Sequence, residues 1–302
     1  MTDGVVVSVV IATRNRRELL AEAIESVRRQ QTPSWELIVV DDGSTDDTAT
    51  FLAQQASLTV VRQQTSTERS MARNRGLAEA SGRYVMFLDD DDTLYPDALR
   101  VLAAALERHP SAVAAIGARE DWFVGEQYRR RDIHPRVERT RDLFDEFLFG
   151  WSAVSGQNLY RAQVVREAGG YDAGLQFVED RDLWLRLSRM GPVTLCPHVV
   201  MTYRIQPTQV RPADIRQRRE MVARRAIRRL PRDKRRRALL IRRSTAFVDA
   251  AEESVRAGNA LDAIPSLARA IRCFPALLWN PLLSVWIARR LVGRAYHRWR
   301  LA

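Results

Sequence analysis

Apolar and polar residues alternate along the first ninety positions in blocks whose lengths separate strands from helices. Val5 to Ile11 is a β-branched run broken by Ser8 alone, as expected of a strand covered on both faces in a parallel sheet. A polar turn, Ala12-Thr13-Arg14-Asn15, ends it. Leu19, Leu20, Ala23, Ile24 and Val27 then recur at helical spacing as far as Gln30-Gln31-Thr32-Pro33, and Leu37 to Val40 is a second apolar strand running into Asp41-Asp42-Gly43-Ser44-Thr45-Asp46. Strand, helix, strand makes a βαβ unit. Thr59 to Arg62 predicts a third strand, Met71 to Ala80 a helix, and Tyr84 to Leu88 a strand that ends in four consecutive acids, Asp89 to Asp92. The fold class this predicts is α/β with a mostly parallel, Rossmann-like central sheet.

In open α/β sheets ligands bind beyond the carboxyl ends of the strands. Polar clusters stand at three such ends here: Arg14-Asn15, Asp41-Asp42 and the acidic tetrad. Packed carboxylates repel unless a cation or solvent compensates, and hard divalent cations take one or two carboxylates together with a substrate's phosphates. The tetrad therefore reads as a metal-diphosphate site. Its competing reading is a solvated acidic loop entering the helix after Pro96, where Asp complements the helix dipole.

The chain resembles the family 2 glycosyltransferases, whose nucleotide-binding domain has the GT-A fold. The resemblance rests on Val7 to Arg16, Glu36 to Asp46, Ala72-Arg73-Asn74-Arg75-Gly76, Phe87 to Asp92 with Pro96, Gly169-Gly170-Tyr171-Asp172, and Glu179 to Leu187, in that order across residues 5 to 204. It implies that Asp42 accepts a hydrogen bond from the nucleobase, that Arg14 and Arg73 pack on the base or pair with phosphate oxygens, and that Ala12 offers a backbone contact. Asp89 and Asp91 resemble the family's Asp-x-Asp pair. Asp91 is then the direct ligand of Mg²⁺ or Mn²⁺, with Asp89 or Asp90 reaching the ribose or a metal-bound water. Asp180 is the implied base, Glu179 the second choice, and direct displacement would invert the anomeric centre. Read as residues alone, Glu179 and Asp180 open an amphipathic helix bearing Leu183, Trp184 and Leu187, where acids complement the dipole. That reading is the one adopted for Asp182.

The chain departs from the family pattern twice. Arg14 stands where an aromatic commonly stacks on the base, and Gln206 follows Tyr203-Arg204-Ile205 where a His is usual. Arg204 is expected to take over the phosphate contact. Trp122, Phe123, Trp151, Ser155, Gln157 and Asn158 fall in the stretch where the family builds its acceptor site, and Trp151 and Asn158 are the acceptor candidates. The expected reaction is metal-dependent, inverting transfer from a nucleotide-diphosphate sugar, a UDP-sugar by expectation, to a saccharide or lipid-linked acceptor in surface-glycan assembly. The alternative is a catalytically silent module of the same fold that uses its tail to hold a partner.

Composition narrows the setting. The 302 residues contain two cysteines, Cys196 and Cys273, which excludes a disulfide framework and suits a reducing compartment. No basic leader precedes the first strand, so the expectation is a cytoplasmic enzyme, peripheral on the inner face of the membrane. His109, His134, His198 and His297 lack metal-ligand spacing.

Charge divides the chain more sharply than composition does. From Arg211 onward 23 Lys and Arg face 7 Asp and Glu, a net +16, which leaves the first 210 residues with 25 against 30, or −5. The expected domains are a catalytic 1–210 and a basic helical 211–302, joined near Pro207 to Pro212. Arginine clusters at 224–225, 228–229 and 232–237 suit solvated helical faces. They also suit an anionic membrane surface, given Trp279, Trp286, Tyr296 and Trp299 nearby. No recognition motif or interleaved aromatic within the clusters favours nucleic acid. Ala276 to Ala288 is interrupted by Asn280-Pro281 and falls short of the roughly 20 residues a spanning helix needs. Residues 246 to 275 resemble a single tetratricopeptide hairpin, which cannot bury its own face without neighbours.

Overall fold

A computed structural model of the chain describes residues 6–31, 34–132, 137–206, 212–288 and 291. Two compact units emerge, one of residues 1–142 with 153–218 and one of residues 143–152 with 219–302. The division falls at Arg218 rather than after Val210, and ten residues from mid-chain join the helical unit.

The first unit begins with β1 (Val7–Thr13), α1 (Arg17–Arg28), β2 (Trp35–Asp41), α2 (Thr48–Ala53), β3 (Thr59–Arg62), α3 (Arg69–Glu79), β4 (Tyr84–Asp89), β5 (Thr93–Leu94) and α4 (Ala98–Arg108). It continues with β6 (Ala114–Phe123), β7 (Tyr128–Asp132) and β8 (Arg139–Arg141). After α5 (Phe144–Phe149), which belongs to the second unit, come β9 (Asn158–Arg161), α6 (Ala162–Glu167), α7 (Glu179–Leu187) and β10 (Val193–Ile205). The strand order is β3-β2-β1-β4-β9-β6-β10-β5, with β7 on β6 and β8 on β10. β3, β2, β1 and β4 are mutually parallel, as are β6 and β10, while β9 lies antiparallel between β4 and β6.

Alternation along the parallel strands explains their unbroken apolar runs. Val7, Val9 and Ile11 share one buried cluster with Leu20, Ala23, Ile24 and Val27 of α1 and Leu99, Leu102 and Leu106 of α4. On the opposite face Gly76 of α3 sits against Val10, where an added Cβ would fall 2.2 Å from the valine Cγ1. A side chain there would push α3 off the sheet, which accounts physically for the glycine that closes Ala72-Arg73-Asn74-Arg75-Gly76. Register then aligns the strand ends: Ala12 pairs with Val40 on one side and Asp89 on the other, and Thr13 pairs with Asp41.

In the second unit α5 is clasped by α9 (Arg232–Arg256), which follows α8 (Ile215–Arg228). Arg237 donates to Asp145 (2.6 Å), and the Thr245 hydroxyl to the Phe149 carbonyl (2.8 Å). α10 (Ala263–Cys273) folds back on α9, where Ser244 Oγ donates to the Ala270 carbonyl at 2.8 Å. The two helices of the hairpin thus pack on each other, with α5 against α9, while Leu261 and Ile264 stay exposed. Trp286 packs edge-on against Phe149 at 5.8 Å, while Trp279 is 83% exposed. Tyr296 and Trp299, and likewise His134 and His297, lie outside the described residues. Among the described residues no helix is long and apolar enough to cross a membrane.

Candidate active site

A cleft at the aligned strand ends is lined by the end of β1 (Ala12, Thr13) and the turn after it (Arg14, Arg16), by Asp42, by the segment entering α3, by Asp89 and Asp90, and by residues 175–177 with Glu179. The two turns that floor it are stitched together. Asn15, at φ +52°, accepts the Thr45 N–H on its side-chain oxygen (2.7 Å) and donates its own N–H to Ser44 Oγ (3.0 Å). A short amide tolerates that left-handed backbone. Gly43 follows suit at φ +73°, and a Cβ there would come within 2.9 Å of Ser66 N.

Asp42 is buried and lines the cleft, yet the chain itself already supplies its donors. Gln63 Nε2, the Ser66 and Thr67 hydroxyls, and the Thr67 and Glu68 N–H groups all donate to its carboxylate, at 2.7 to 3.2 Å. The structure therefore makes Asp42 the anchor of residues 63–68, with a base contact competing for lone pairs in use.

Arg73 departs furthest from expectation. The family resemblance implies a contact with the base or a phosphate, but the structure leaves its side chain 2% exposed and gives its guanidinium to protein acids. Nη2 donates to Asp89 Oδ1 (2.5 Å) and Ser155 Oγ (3.0 Å), and Nη1 to Asp180 Oδ1 (3.2 Å) and Glu179 Oε1 (3.4 Å). The cation also lies 5.1 Å from the Tyr171 ring centroid. One buried charge thereby joins the end of β4 to the start of α7. The fork of a guanidinium suits this task, since it presents several fixed donors at once.

The tetrad splits into different environments. Asp90 accepts from Thr13 Oγ1 (2.8 Å) and from Arg16 Nη1 (2.9 Å), and the same Nη1 donates to Asp91 Oδ2 (3.0 Å). Asp92 is fully buried, accepts the Arg204 N–H on Oδ1 (2.8 Å), and has no hydrogen-bond partner for Oδ2 among the described residues. Asp89, Asp91 and Asp92 each offer one oxygen, all within 4.8 Å of one another. A set of oxygen donors with an orphaned buried carboxylate atom fits a hard divalent cation. Asp92 stands with the expected ligands Asp91 and Asp89 as a third candidate, next to them in the sequence and set apart from them by burial.

Electrostatics follow from the same contacts. Burial pushes Asp89 up, but Arg73, Arg69 and Arg16 outweigh it and hold the carboxyl below its usual range. Burial, with help from Asp91 and Asp89, lifts Asp90 to about 6 against the pull of Arg16. Asp91 is raised by burial and by Asp89, and Asp92 well above the ordinary value by burial and both neighbours. A carboxyl raised in this way stabilises the fold while protonated; for Asp90 that stability is lost as pH climbs past the ordinary carboxylate value and through about 6. Mg²⁺ or Mn²⁺ should accordingly raise the thermal midpoint more at pH 8 than at pH 5, since protons compete more strongly in acid for the raised carboxyls of Asp91 and Asp92. Equal shifts at both pH values would count against a cation on the tetrad.

Glu179 and Asp180 start α7 beside these acids. Asp180 keeps about a third of its side chain exposed (35%) and is lifted to about 6, chiefly by loss of solvation, with Glu179 and Asp89 adding to the rise and Arg73 opposing it. Glu179 is 95% buried with Oε2 unpartnered among the described residues. Asp182, bonded to Arg186 at 2.7 Å, has the structural place expected of it.

The remaining candidates lie elsewhere. Arg204 is largely buried; its guanidinium reaches Glu22 at 2.5 Å and lies over the Trp122 ring at 4.8 Å, away from the phosphate contact expected of it. Asn158 is buried and donates to the Val154 carbonyl (2.6 Å). Trp151 belongs to the second unit, stacked on Phe147 at 5.4 Å. Thr13, Arg16, Arg69 and Phe177, which are not among the site residues expected from the sequence, also line the cleft. Phe177 is 54% exposed at φ +66°, a conformation uncommon for an aromatic residue that leaves no trace in the sequence.

A family model described as "Glycosyl transferase family 2" matches residues 8–169. The uncharacterized protein y4gI of Sinorhizobium fredii is 35% identical over 192 residues, covering 62% of this chain and 20% of the relative. TuaG of Bacillus subtilis, whose name assigns it to teichuronic acid biosynthesis, is 40% identical over 97 residues, 31% of this chain and 38% of TuaG. The chain thus spans a minor part of the length of both relatives. Among solved structures, S. aureus TarS 1–349 in complex with UDP-GlcNAc superposes with a TM-score of 0.68 at 19% identity, covering 88% of this chain and 79% of that one. The likeness identifies the shared fold as GT-A.

Proposed function

The chain belongs to glycosyl transferase family 2, and from that premise we propose that it moves a sugar from a nucleotide-diphosphate donor, a UDP-sugar, to a hydroxyl of a saccharide or lipid-linked acceptor in surface-glycan assembly, with inversion. The observation that carries this reading is Arg73, which ties Asp89 of the acidic group to Asp180 through one buried cation. Donor-side and acceptor-side carboxylates are thereby held in fixed relation. The TarS complexes with UDP and UDP-GlcNAc and the name of TuaG support the donor class and the glycan setting.

In the reaction, Asp180 takes the proton of the acceptor hydroxyl, whose oxygen attacks the anomeric carbon as the bond to the diphosphate breaks. Direct displacement inverts that carbon. Arg73 orients the base, and Glu179, with a free oxygen beside it, is positioned to accept a hydrogen bond from a substrate hydroxyl. Asp89, Asp91 and Asp92 would hold Mg²⁺ or Mn²⁺, which when bound stabilises the charge developing on the departing phosphate. Ala12, Thr13 and Arg14 face the nucleotide.

Screening nucleotide sugars for acceptor-dependent release of the nucleotide diphosphate tests the activity, and a full panel without turnover would favour the silent-scaffold alternative. UDP binding should weaken strongly in chelator, and Asp91→Asn should weaken it equally in Mg²⁺. Calorimetry giving the same affinity with and without metal would remove the cation from the proposal.

The second unit supports a peripheral role at an anionic membrane. Its arginine clusters at 224–225, 228–229 and 232–237 are exposed, as are Leu278 and Trp279. Each cationic side chain near an anionic leaflet contributes about 1 kcal/mol, within a Debye length. The full chain should therefore co-sediment with anionic but not neutral vesicles at low salt, and release as salt rises. Failure to pellet with anionic vesicles would point to a soluble acceptor.

A further inference from the structure

We propose that Arg16 gates the cation site: it occupies Asp91 until a nucleotide diphosphate draws it away, so that divalent metal and nucleotide bind as a coupled pair. The proposal rests on the metal-dependent reading above and adds to it an order of events and the residue responsible.

Arg16 leaves the turn after β1 immediately before α1, and a single nitrogen, Nη1, bridges Asp90 Oδ1 (2.9 Å) and Asp91 Oδ2 (3.0 Å). Asp91 also belongs to the group of three oxygens with Asp89 and Asp92. A guanidinium and a divalent cation on one carboxylate repel each other, so metal arriving alone competes with Arg16 for Asp91. Arg16 differs from Arg73 in being able to yield. Its side chain is 42% exposed and lines the cleft, whereas that of Arg73 is 2% exposed. Asp90 does not depend on Arg16 for its position, because Thr13 holds its other oxygen at 2.8 Å.

A diphosphate in this cleft offers the freed guanidinium a stronger partner, since phosphate oxygens match its planar donors and carry more charge. Once Arg16 has turned to the phosphate, Asp91 is open to the metal. Each ligand then removes the obstacle to the other, and the coupling is reciprocal by linkage. A role confined to holding the turn would weaken both ligands together.

The experiment titrates Mn²⁺ into the full chain and into Arg16→Gln, followed by calorimetry or the Mn²⁺ paramagnetic signal, with and without UDP. In the variant, Mn²⁺ alone should bind about tenfold tighter, and UDP at saturating Mn²⁺ about tenfold weaker, opposite shifts of about 1.4 kcal/mol each. Adding Asp91→Asn should abolish the gained Mn²⁺ affinity. Arg16→Lys, which keeps the charge but not the fork, should fall between. Unchanged or weaker Mn²⁺ binding by Arg16→Gln without UDP, or both ligands weakening together, overturns the gate while leaving the metal reading intact if Mn²⁺ still strengthens UDP binding. If neither protein binds Mn²⁺ even with UDP, the metal reading itself falls and the gate with it.

Discussion

Replacing Asp180 with asparagine is expected to leave UDP-sugar binding intact and to slow transfer by roughly 10²- to 10⁴-fold, the usual contribution of a positioned acid or base. The amide is isosteric with the carboxylate and could still accept a hydrogen bond from Arg73, so the donor side of the cleft should hold its geometry. What it lacks is a lone pair basic enough to take the acceptor proton. The native enzyme carries its own control. With Asp180 lifted to about 6, a base at that position acts in its deprotonated form, and the rate should climb as pH rises through that value and level off above it. Steady-state kinetics of Asp180→Asn beside Glu179→Gln would settle the assignment. A native rate in the first and none in the second would move the base to Glu179, whose Oε2 is the unpartnered oxygen.

Arg73→Met should destabilise the chain by about 3 to 5 kcal/mol near pH 8, the range for removing one partner of a buried ion pair. Three carboxylates, on Asp89, Glu179 and Asp180, would then face one another around an apolar side chain. The sign of the pH effect follows from what Arg73 now does. At present it draws Asp89 below the usual carboxylate range and opposes the rise of Asp180. Without it both would titrate higher in the folded state, so the variant's remaining stability would be greatest in acid and decline as pH rises. Urea unfolding should therefore show a large deficit at pH 8 that narrows towards pH 5. A deficit independent of pH would mean that packing against Tyr171 and Ser155, rather than charge, is what Arg73 contributes.

Much of the fold is legible along the chain because its cause is local. The runs at β1, β2 and β4 are apolar at nearly every position since helices cover both faces, and the spacing of Leu20, Ala23, Ile24 and Val27 in α1 follows from the same burial. Parallel strands joined by helices bring their carboxyl ends to one edge, so Ala12, Asp42 and Asp89 can be set together from the sequence. The antiparallel β9 and the transfer of residues 143–152 to the helical unit cannot. Both depend on pairings between segments far apart in the chain, which leave no periodic mark of their own.

Sequence alone determined the α/β class, the family and the set of acids at the strand ends, because hydrophobic period and motif order are carried by neighbouring residues. Tertiary structure decided what each acid experiences. Arg73 and Asp180 are 107 positions apart, and Asp92 meets the Arg204 N–H across 112. Four adjacent aspartates look alike in the sequence; they differ in the fold because Arg73 lowers Asp89, Thr13 and Arg16 hold Asp90, Arg16 covers Asp91, and burial orphans one oxygen of Asp92. Charge and solvation act through distance in space, and for these residues that distance is set by packing between elements far apart in the chain.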